Sequence, residues 1–277
     1  MPTVAQVSGL FLYPVKSLGG IAVPTAELDA LGLVGDRRFL VVDPAGRFVT
    51  QRTLPRMALI GTALTADCLV LRHADAAPLS VSLAPDPGAP LLRVSVWGSE
   101  GLAAEDCGDA PARWLEARLG VACRLVRIGP AFHRPILKSG SARLGDVVTF
   151  ADAYPLLALG EASLADLNDR LVASGEEPVP LDRFRPNLVL SGCPAYAEDT
   201  WPTFRIGSAL FRAGGPCARC IMTTTDQQSG ARGPEPLRTL ARYRRDAAKP
   251  SDVNFGQNLI HETKTGRIRV GDTVSVP

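Results

Sequence analysis

The 277-residue sequence is short of histidine, with three, of methionine, with three, and of aromatics, at 6%. The histidines, His73, His133 and His261, stand far apart, and none has a partner at metal-ligand spacing. A structural zinc site needs four ligands, usually two C-x-x-C pairs or one pair with histidines. The chain offers one pair and no histidine beside it. Cysteine is also scarce: Cys68, Cys107, Cys123, Cys193, Cys217 and Cys220. Six in a chain this long do not make a disulfide scaffold, and a domain of this size buries enough surface to fold without a staple. No apolar run reaches the roughly 18 residues of a membrane span, and the N-terminus lacks a basic segment followed by an apolar one. We therefore expect a soluble cytoplasmic protein in a reducing compartment, with no membrane partner. Thirty basic residues against 28 acidic ones give a net charge of +2, far from the footprint of a nucleic-acid binder. No nucleic-acid partner is expected.

What the sequence has is β-pattern. Short apolar or alternating runs recur at 9–15, 39–43, 47–51, 57–64, 68–72, 79–83, 92–97 and 123–128, then at 187–192, 203–213, 218–224, 254–260 and 267–276. Turn residues such as Asp43-Pro44-Ala45-Gly46 separate them. Helical patterns occur at 110–120, 161–175 and 235–245, the first two ending at Gly120 and Gly175. Strands and helices do not alternate, which argues against a doubly wound sheet. The expected class is β-rich α+β: barrel or sandwich pieces with helices at the edges. Residues 38 to 127 are dense in strands and could form their own subdomain.

Four stretches carry candidate chemistry. Cys217-Ala218-Arg219-Cys220 places a guanidinium beside a thiol, which favours the thiolate, the ligand and nucleophile form. A thioredoxin-like pair would open a helix, whereas Ile221-Met222-Thr223-Thr224-Thr225 reads as strand. Two free thiols beside a strand, or one thiolate holding a metal whose other ligands come from a cofactor, both remain open here. In Tyr13-Pro14-Val15-Lys16-Ser17 a lysine and a hydroxyl project at a strand end before Gly19-Gly20, a possible phosphate grip or an ordinary turn. Gly35-Asp36-Arg37-Arg38-Phe39 precedes an apolar strand, so one arginine can turn inward or both can stay in surface ion pairs. Arg185-Pro186-Asn187 leads into a strongly apolar strand, where polar groups cap the strand or serve a site.

Taken together and in order, YPVKS (13–17), GDRRFLVVD (35–43), VTQR (49–52), EASLADLNDRL (161–171) and FRPNLVLSG (184–192) resemble the MOSC-domain molybdenum enzymes. So do YAEDTW (196–201), IGSALFR (206–212), CARCIMTTTD (217–226), FGQN (255–258) and IRVGDTVSV (268–276). Within that family the resemblance is to the mitochondrial amidoxime-reducing component and its bacterial relatives, over nearly the whole chain. It implies a MOSC-type β-barrel of residues 1–37 and 128–277, into which a smaller α/β N-terminal-region domain, 38–127, is inserted. It implies a molybdenum cofactor, a pyranopterin dithiolene with a single phosphate, whose metal is held by Cys220. The same matching assigns Lys16, Ser17, Arg37, Arg185 and Arg219 to the phosphate and pterin, with Asn187 beside them. Asp152, Ala153 and Tyr154 would offer backbone or carboxylate contacts. Ala218 stands where the amidoxime-reducing enzyme has a serine, so that contact would be lost or made by backbone alone.

The implied activity is reduction of N-hydroxylated or N-oxide compounds such as amidoximes, hydroxylamines and hydroxylated bases. Electrons would come from a separate protein of the ferredoxin, flavodoxin-reductase or cytochrome b5 type, because the chain carries no flavin or iron–sulfur motif. The sequence also shows neither the N-terminal anchor of the mitochondrial form nor the C-terminal iron–sulfur domain of some bacterial relatives. The alternative is a cofactor or sulfur carrier in which Cys220 holds sulfur transiently.

Overall fold

The computed structural model describes residues 2–137 and 141–277; Met1 and residues 138–140, which fall within the expected barrel ranges, lie outside them. In chain order the first strands are β1 (Thr3–Leu12), β2 (Ile21–Ala22), β3 (Thr25–Asp29), β4 (Gly32–Leu33) and β5 (Phe39–Val42). There follow β6 (Gly61–Leu64), β7 (Cys68–His73), β8 (Ala76–Ser82), β9 (Leu91–Val96) and β10 (Ser99–Asp106), then helix α1 (Asp109–Leu119) and β11 (Arg124–Arg127). The second half holds β12 (Leu156–Gly160), α2 (Glu161–Ala173), β13 (Leu188–Ser191), β14 (Thr203–Ile206) and β15 (Ala209–Ala218). Helix α3 (Leu237–Tyr243) precedes β16 (Asn254–His261), β17 (Gly266–Arg269) and β18 (Thr273–Ser275).

Seven strands close on themselves in the order β13-β12-β16-β15-β14-β18-β1, with β1 pairing back to β13 and β2 attached at its edge. Within this closed set, among the described residues, β12 and β13 are the one parallel pair. The interior is filled by Val7, Leu10, Leu12, Leu188, Leu190 and Phe211 with their neighbours, all at or near zero exposure. Strand β1 shows how the pattern works: inward Ala5 and Val7 alternate with outer residues until a bulge between Val7 and Gly9 shifts the register, the bend a closed barrel requires. Full closure leaves the barrel no edge strand to protect. The fold is thus β-rich with edge helices, as expected, and holds three α-helices among the described residues.

Residues 39–127 form smaller sheets, β5-β11-β10-β9 and β6-β7-β8. Met57, Ile60, Leu69, Leu71, Leu115 and Leu119 pack together between them and α1. Strand β10, SEGLAAED, was not expected from its small and acidic residues. It becomes a strand because arginines of β11 neutralise it: Arg127 Nε meets Glu105 at 2.7 Å with both side chains buried, and Arg124 meets Asp106 at 2.6 Å.

Three other expectations shift. Residues 57–64 begin as a one-turn 3-10 helix, Pro55–Leu59, because Pro55 starts a turn; only Gly61–Leu64 is strand. Residues 47–51 make isolated bridges instead of a strand, since Asp43 Oδ1 accepts the Ala45 and Arg47 amides and curls the chain. Residues 221–224 form a 3-10 turn. The hydroxyls of Thr223 and Thr224 donate to the Cys220 and Ile221 carbonyls, three residues back. No helix among the described residues is long and apolar enough to cross a membrane.

Candidate active site

One groove collects residues from five separate stretches. Lys16 and Ser17 follow β1, Arg37 precedes β5, Asp152, Ala153 and Tyr154 precede β12, Arg185 and Asn187 precede β13, and Ala218 ends β15 with Arg219 and Cys220 just after it. All eleven sequence-nominated residues line it. Register shifts in β15 between Ala213 and Gly215 and between Pro216 and Ala218 re-aim the chain just before Cys217, a common use of bulges beside sites. The backbone is strained in the same place. The described residues hold five non-glycine residues at positive φ; Ser17 (68°), Arg37 (47°) and Arg185 (54°) line the groove, and Trp97 (53°) reaches it. Such conformations cost about 1–3 kcal/mol each and cluster at functional sites.

The electrostatics are one-sided. Six cations (Lys16, Arg37, Arg52, Arg183, Arg185 and Arg219) face a single lining carboxylate, Asp152. That carboxylate accepts from Lys16 Nζ, from Arg52 Nη2 at 2.9 Å and from Trp97 Nε1 at 3.1 Å. Although its side chain is about half exposed, Lys16 and Arg52 hold its pKa well below the usual carboxylate range, against the opposing effect of desolvation. Lys16 is 5% exposed, and burial lowers its ammonium to about 8 against the pull of Asp152. Burial works against the charge of Arg52 too, but the Asp152 carboxylate and the Cys220 sulfur outweigh it.

Several buried donors in the lining have no partner among the described residues: Ser17 Oγ, Arg52 Nη1, Arg183 Nε, Arg185 Nη2 and Arg219 Nη2. A buried, unpaired polar group is expensive, and five around one groove fit an anionic ligand rich in acceptors. The rest of Arg219 is committed, Nε to the Phe255 carbonyl at 2.7 Å and Nη1 to the Phe184 carbonyl at 2.9 Å. Asn187 works differently. Its Oδ1 accepts from Arg37 Nη1 (2.9 Å) and the Leu157 amide (3.2 Å), and its Nδ2 donates to the Phe11 carbonyl (3.1 Å). It acts on the groove through Arg37. The Tyr154 ring lies so close to Gly214 that a Cβ there would stand 2.6 Å from it, and the Tyr154 hydroxyl bonds Ser141 at 2.7 Å.

Cys217 and Cys220 are both free and both line the groove. Strand β15 runs to Ala218, the Arg219 amide still bonds Val253, and Cys220 is extended at φ −124°, ψ −179°. Burial pushes the Cys217 thiol up, against the charge of Arg219. Among the described residues no three His, Cys, Asp or Glu side chains cluster to hold a metal ion. A metal here would need most of its ligands from another molecule.

Sequence reasoning missed Arg52, Trp97, Arg183 and Arg134. Arg134, 3% exposed, donates to the carbonyls of Thr149 at 2.7 Å and Asp152 at 2.9 Å and so fixes the 149–152 loop. Arg52 lay inside the VTQR stretch, which was the available signal; a tryptophan ending a strand-like run reads as core.

Comparison with known proteins follows the same lines. The chain matches the MOSC N-terminal beta barrel domain over residues 4–122 and the MOSC domain over residues 145–275. It is 39% identical to mitochondrial amidoxime-reducing component 1 of Mus musculus and 38% identical to that of Homo sapiens, covering 98% of this chain and 82% of each relative. Mitochondrial amidoxime reducing component 2 of Homo sapiens is 35% identical over 98% of this chain and 83% of its own. Among solved structures, the YuaD protein of Bacillus subtilis aligns over 98% of this chain and 93% of its own at 12% identity and a TM-score of 0.41. With relatives of this identity along almost its whole length, the chain belongs to the MOSC-domain family of the mitochondrial amidoxime-reducing components.

Proposed function

We propose that the groove holds a molybdenum cofactor and that the chain is an oxidoreductase acting on N-hydroxylated or N-oxide compounds: amidoximes, hydroxylamines and hydroxylated bases. The observation that carries this is the set of unpartnered buried donors on Ser17, Arg52, Arg183, Arg185 and Arg219 gathered around Cys220. Cys220 would be the protein's ligand to the metal, and Lys16, Ser17, Arg37, Arg185 and Arg219 would hold the anionic tail. The backbone of Asp152, Ala153, Tyr154 and Ala218 would border the ring system, with Asn187 fixing Arg37. When bound, the group supplies a two-electron couple for breaking an N–O bond, in which substrate plus two electrons and two protons gives the N–H product and water. The chain's own share is to neutralise the tail with fixed cations and to hold Cys220 extended at the strand end, so that little reorganisation accompanies turnover.

The relatives' names describe amidoxime-reducing components of mitochondria. For this chain the reading includes a separate electron-donor protein of ferredoxin, flavodoxin-reductase or cytochrome b5 type. It also includes a cytoplasmic location, which the six free cysteines support. It divides the chain into residues 1–37 with 128–277, which carry most of the groove, and 38–127, which lend it Arg52 and Trp97.

The test is benzamidoxime reduction by cofactor-loaded protein with a chemical electron donor, alongside molybdenum analysis. Near-stoichiometric molybdenum and turnover lost in Cys220→Ala are expected. Cyanide-releasable sulfur on Cys220 without molybdenum would replace this reading with that of a sulfur carrier.

A further inference from the structure

Tyr13 belongs to the YPVKS stretch but has no part in the proposed chemistry. We infer that it is a positioning residue: its ring holds the guanidinium groups of Arg37 and Arg185 in place for an oxyanion such as a phosphate monoester. This rests on the groove being an anion site.

The two arginines are held unequally. Arg37 Nη1 bonds the Asp36 carboxylate at 2.6 Å and Asn187 at 2.9 Å, and Nη2 reaches the Arg185 carbonyl at 3.3 Å. Arg185 is 9% exposed, yet among the described residues its side chain has neither an ion pair nor a hydrogen bond, and its Nη2 is buried without a partner. What it does have is the Tyr13 ring, 4.2 Å from its Cζ; the Arg37 Cζ lies 4.6 Å from the same ring. A guanidinium over an aromatic face is attracted by the ring quadrupole, more strongly when desolvated. Burial lowers the Arg185 pKa to about 10, and the Arg37 charge adds to that. Tyr13 does not answer with a negative charge, because burial raises its phenol to about 12. The attraction therefore comes from the face of a neutral ring.

The ring itself is fixed at both ends and along one edge. The Tyr13 amide donates to Asp36 Oδ1 at 2.8 Å, the Arg37 amide donates to the Tyr13 carbonyl at 2.8 Å, and the hydroxyl donates to the Pro186 carbonyl at 3.2 Å. A Cβ on Gly20 would stand 2.4 Å from the ring, so only glycine leaves it room. Tyr13 and Arg185 also border a second cavity, with Phe11, Ala22, Ala58 and Leu181. A smaller, non-aromatic side chain at 13 would open that space to the Arg185 guanidinium and release it from the groove.

The experiment titrates inorganic phosphate into the cofactor-free full chain by calorimetry. The variants are Tyr13→Phe, Tyr13→Leu, Arg185→Ala and the Tyr13→Leu, Arg185→Ala double. Tyr13→Phe, which keeps the face and loses the hydroxyl, should bind within about twofold of the parent. Tyr13→Leu should bind on the order of tenfold more weakly, and in the Arg185→Ala background it should add no more than about twofold, because Asp36 and Asn187 still hold Arg37. Tyr13→Met replaces Tyr13→Leu if the latter does not fold. Parent-like affinity in the leucine variant, equal losses in the phenylalanine and leucine variants, or additive losses in the double would each overturn the inference while leaving the anion site intact. A parent chain that binds no phosphate would remove the anion site itself, and the inference with it.

Discussion

At the residue scale, the roles proposed for Cys220 and Lys16 each make a distinct prediction. Cys220→Ser should cut amidoxime reduction by more than about a hundredfold, since even outer partners of a metal ligand cost about 10–100-fold. Metal analysis after gel filtration should show molybdenum lost in step. Lys16 carries a proton in the empty groove only below about pH 8. Phosphate affinity of the cofactor-free chain should therefore fall as pH rises through 8, and Lys16→Met should show a weaker, flatter profile. The stability effect has the opposite sense. The unfolded chain keeps this proton up to the ordinary lysine value of 10.5, so the folded state gains stability between pH 8 and 10.5. Cys220, Lys16 and Arg185 could be nominated from the sequence because each sits in a compact motif, and the fold brings them into one groove. Arg52, Trp97 and Tyr13 could not, because what they do depends on partners far away in the chain, as with Arg52 on Asp152.

The strand-to-loop junctions are where the elements become a site. Asn187 opens β13 with no exposure and spends its amide on β1, β12 and Arg37 at once. Asn187→Leu should cost about 2–4 kcal/mol in urea unfolding, because it leaves buried donors unpaired. The same variant should weaken phosphate binding through Arg37. Strand runs such as β1, β5 and β13 could be read from apolar periodicity. Strand β10 could not, because its acids are strand-compatible only opposite Arg124 and Arg127. The Thr223-Thr224-Thr225 run misled in the other direction: β-branched composition argues for strand, but the hydroxyls closed a turn.

Across the whole molecule, the barrel and the 39–127 sheets share apolar cores, Val15 and Leu18 with Met57 and Ile60, and Phe132 and Phe150 with Leu40 and Val42, and polar ties add to them. Gln51 and Gln227 pair their side-chain amides reciprocally at 3.0 and 3.1 Å, and Gln51 Nε2 also donates to the Ser17 carbonyl at 2.9 Å. His261, at zero exposure, donates from Nε2 to the Asp29 carbonyl at 2.8 Å and links β16 to the end of β3. Burial, with the charge of Lys264, lowers it to about 4. The unfolded chain takes up this proton below about 6.5 and the folded chain only near 4, so stability present above pH 6.5 is lost as pH falls across that window. The loss is on the order of 3 kcal/mol. Thermal unfolding should show a falling Tm between pH 6.5 and 4, with a shallower slope in His261→Gln.

The grip of Lys16, Arg52 and Trp97 on Asp152 has one more consequence. The empty protein already carries its own counter-ion, so taking up an anionic guest is an exchange of one negative group for another, with the half-exposed loop carboxylate giving up Lys16 and Arg52 to the guest. Uptake should then respond to ionic strength far less steeply than six unshielded cations would dictate.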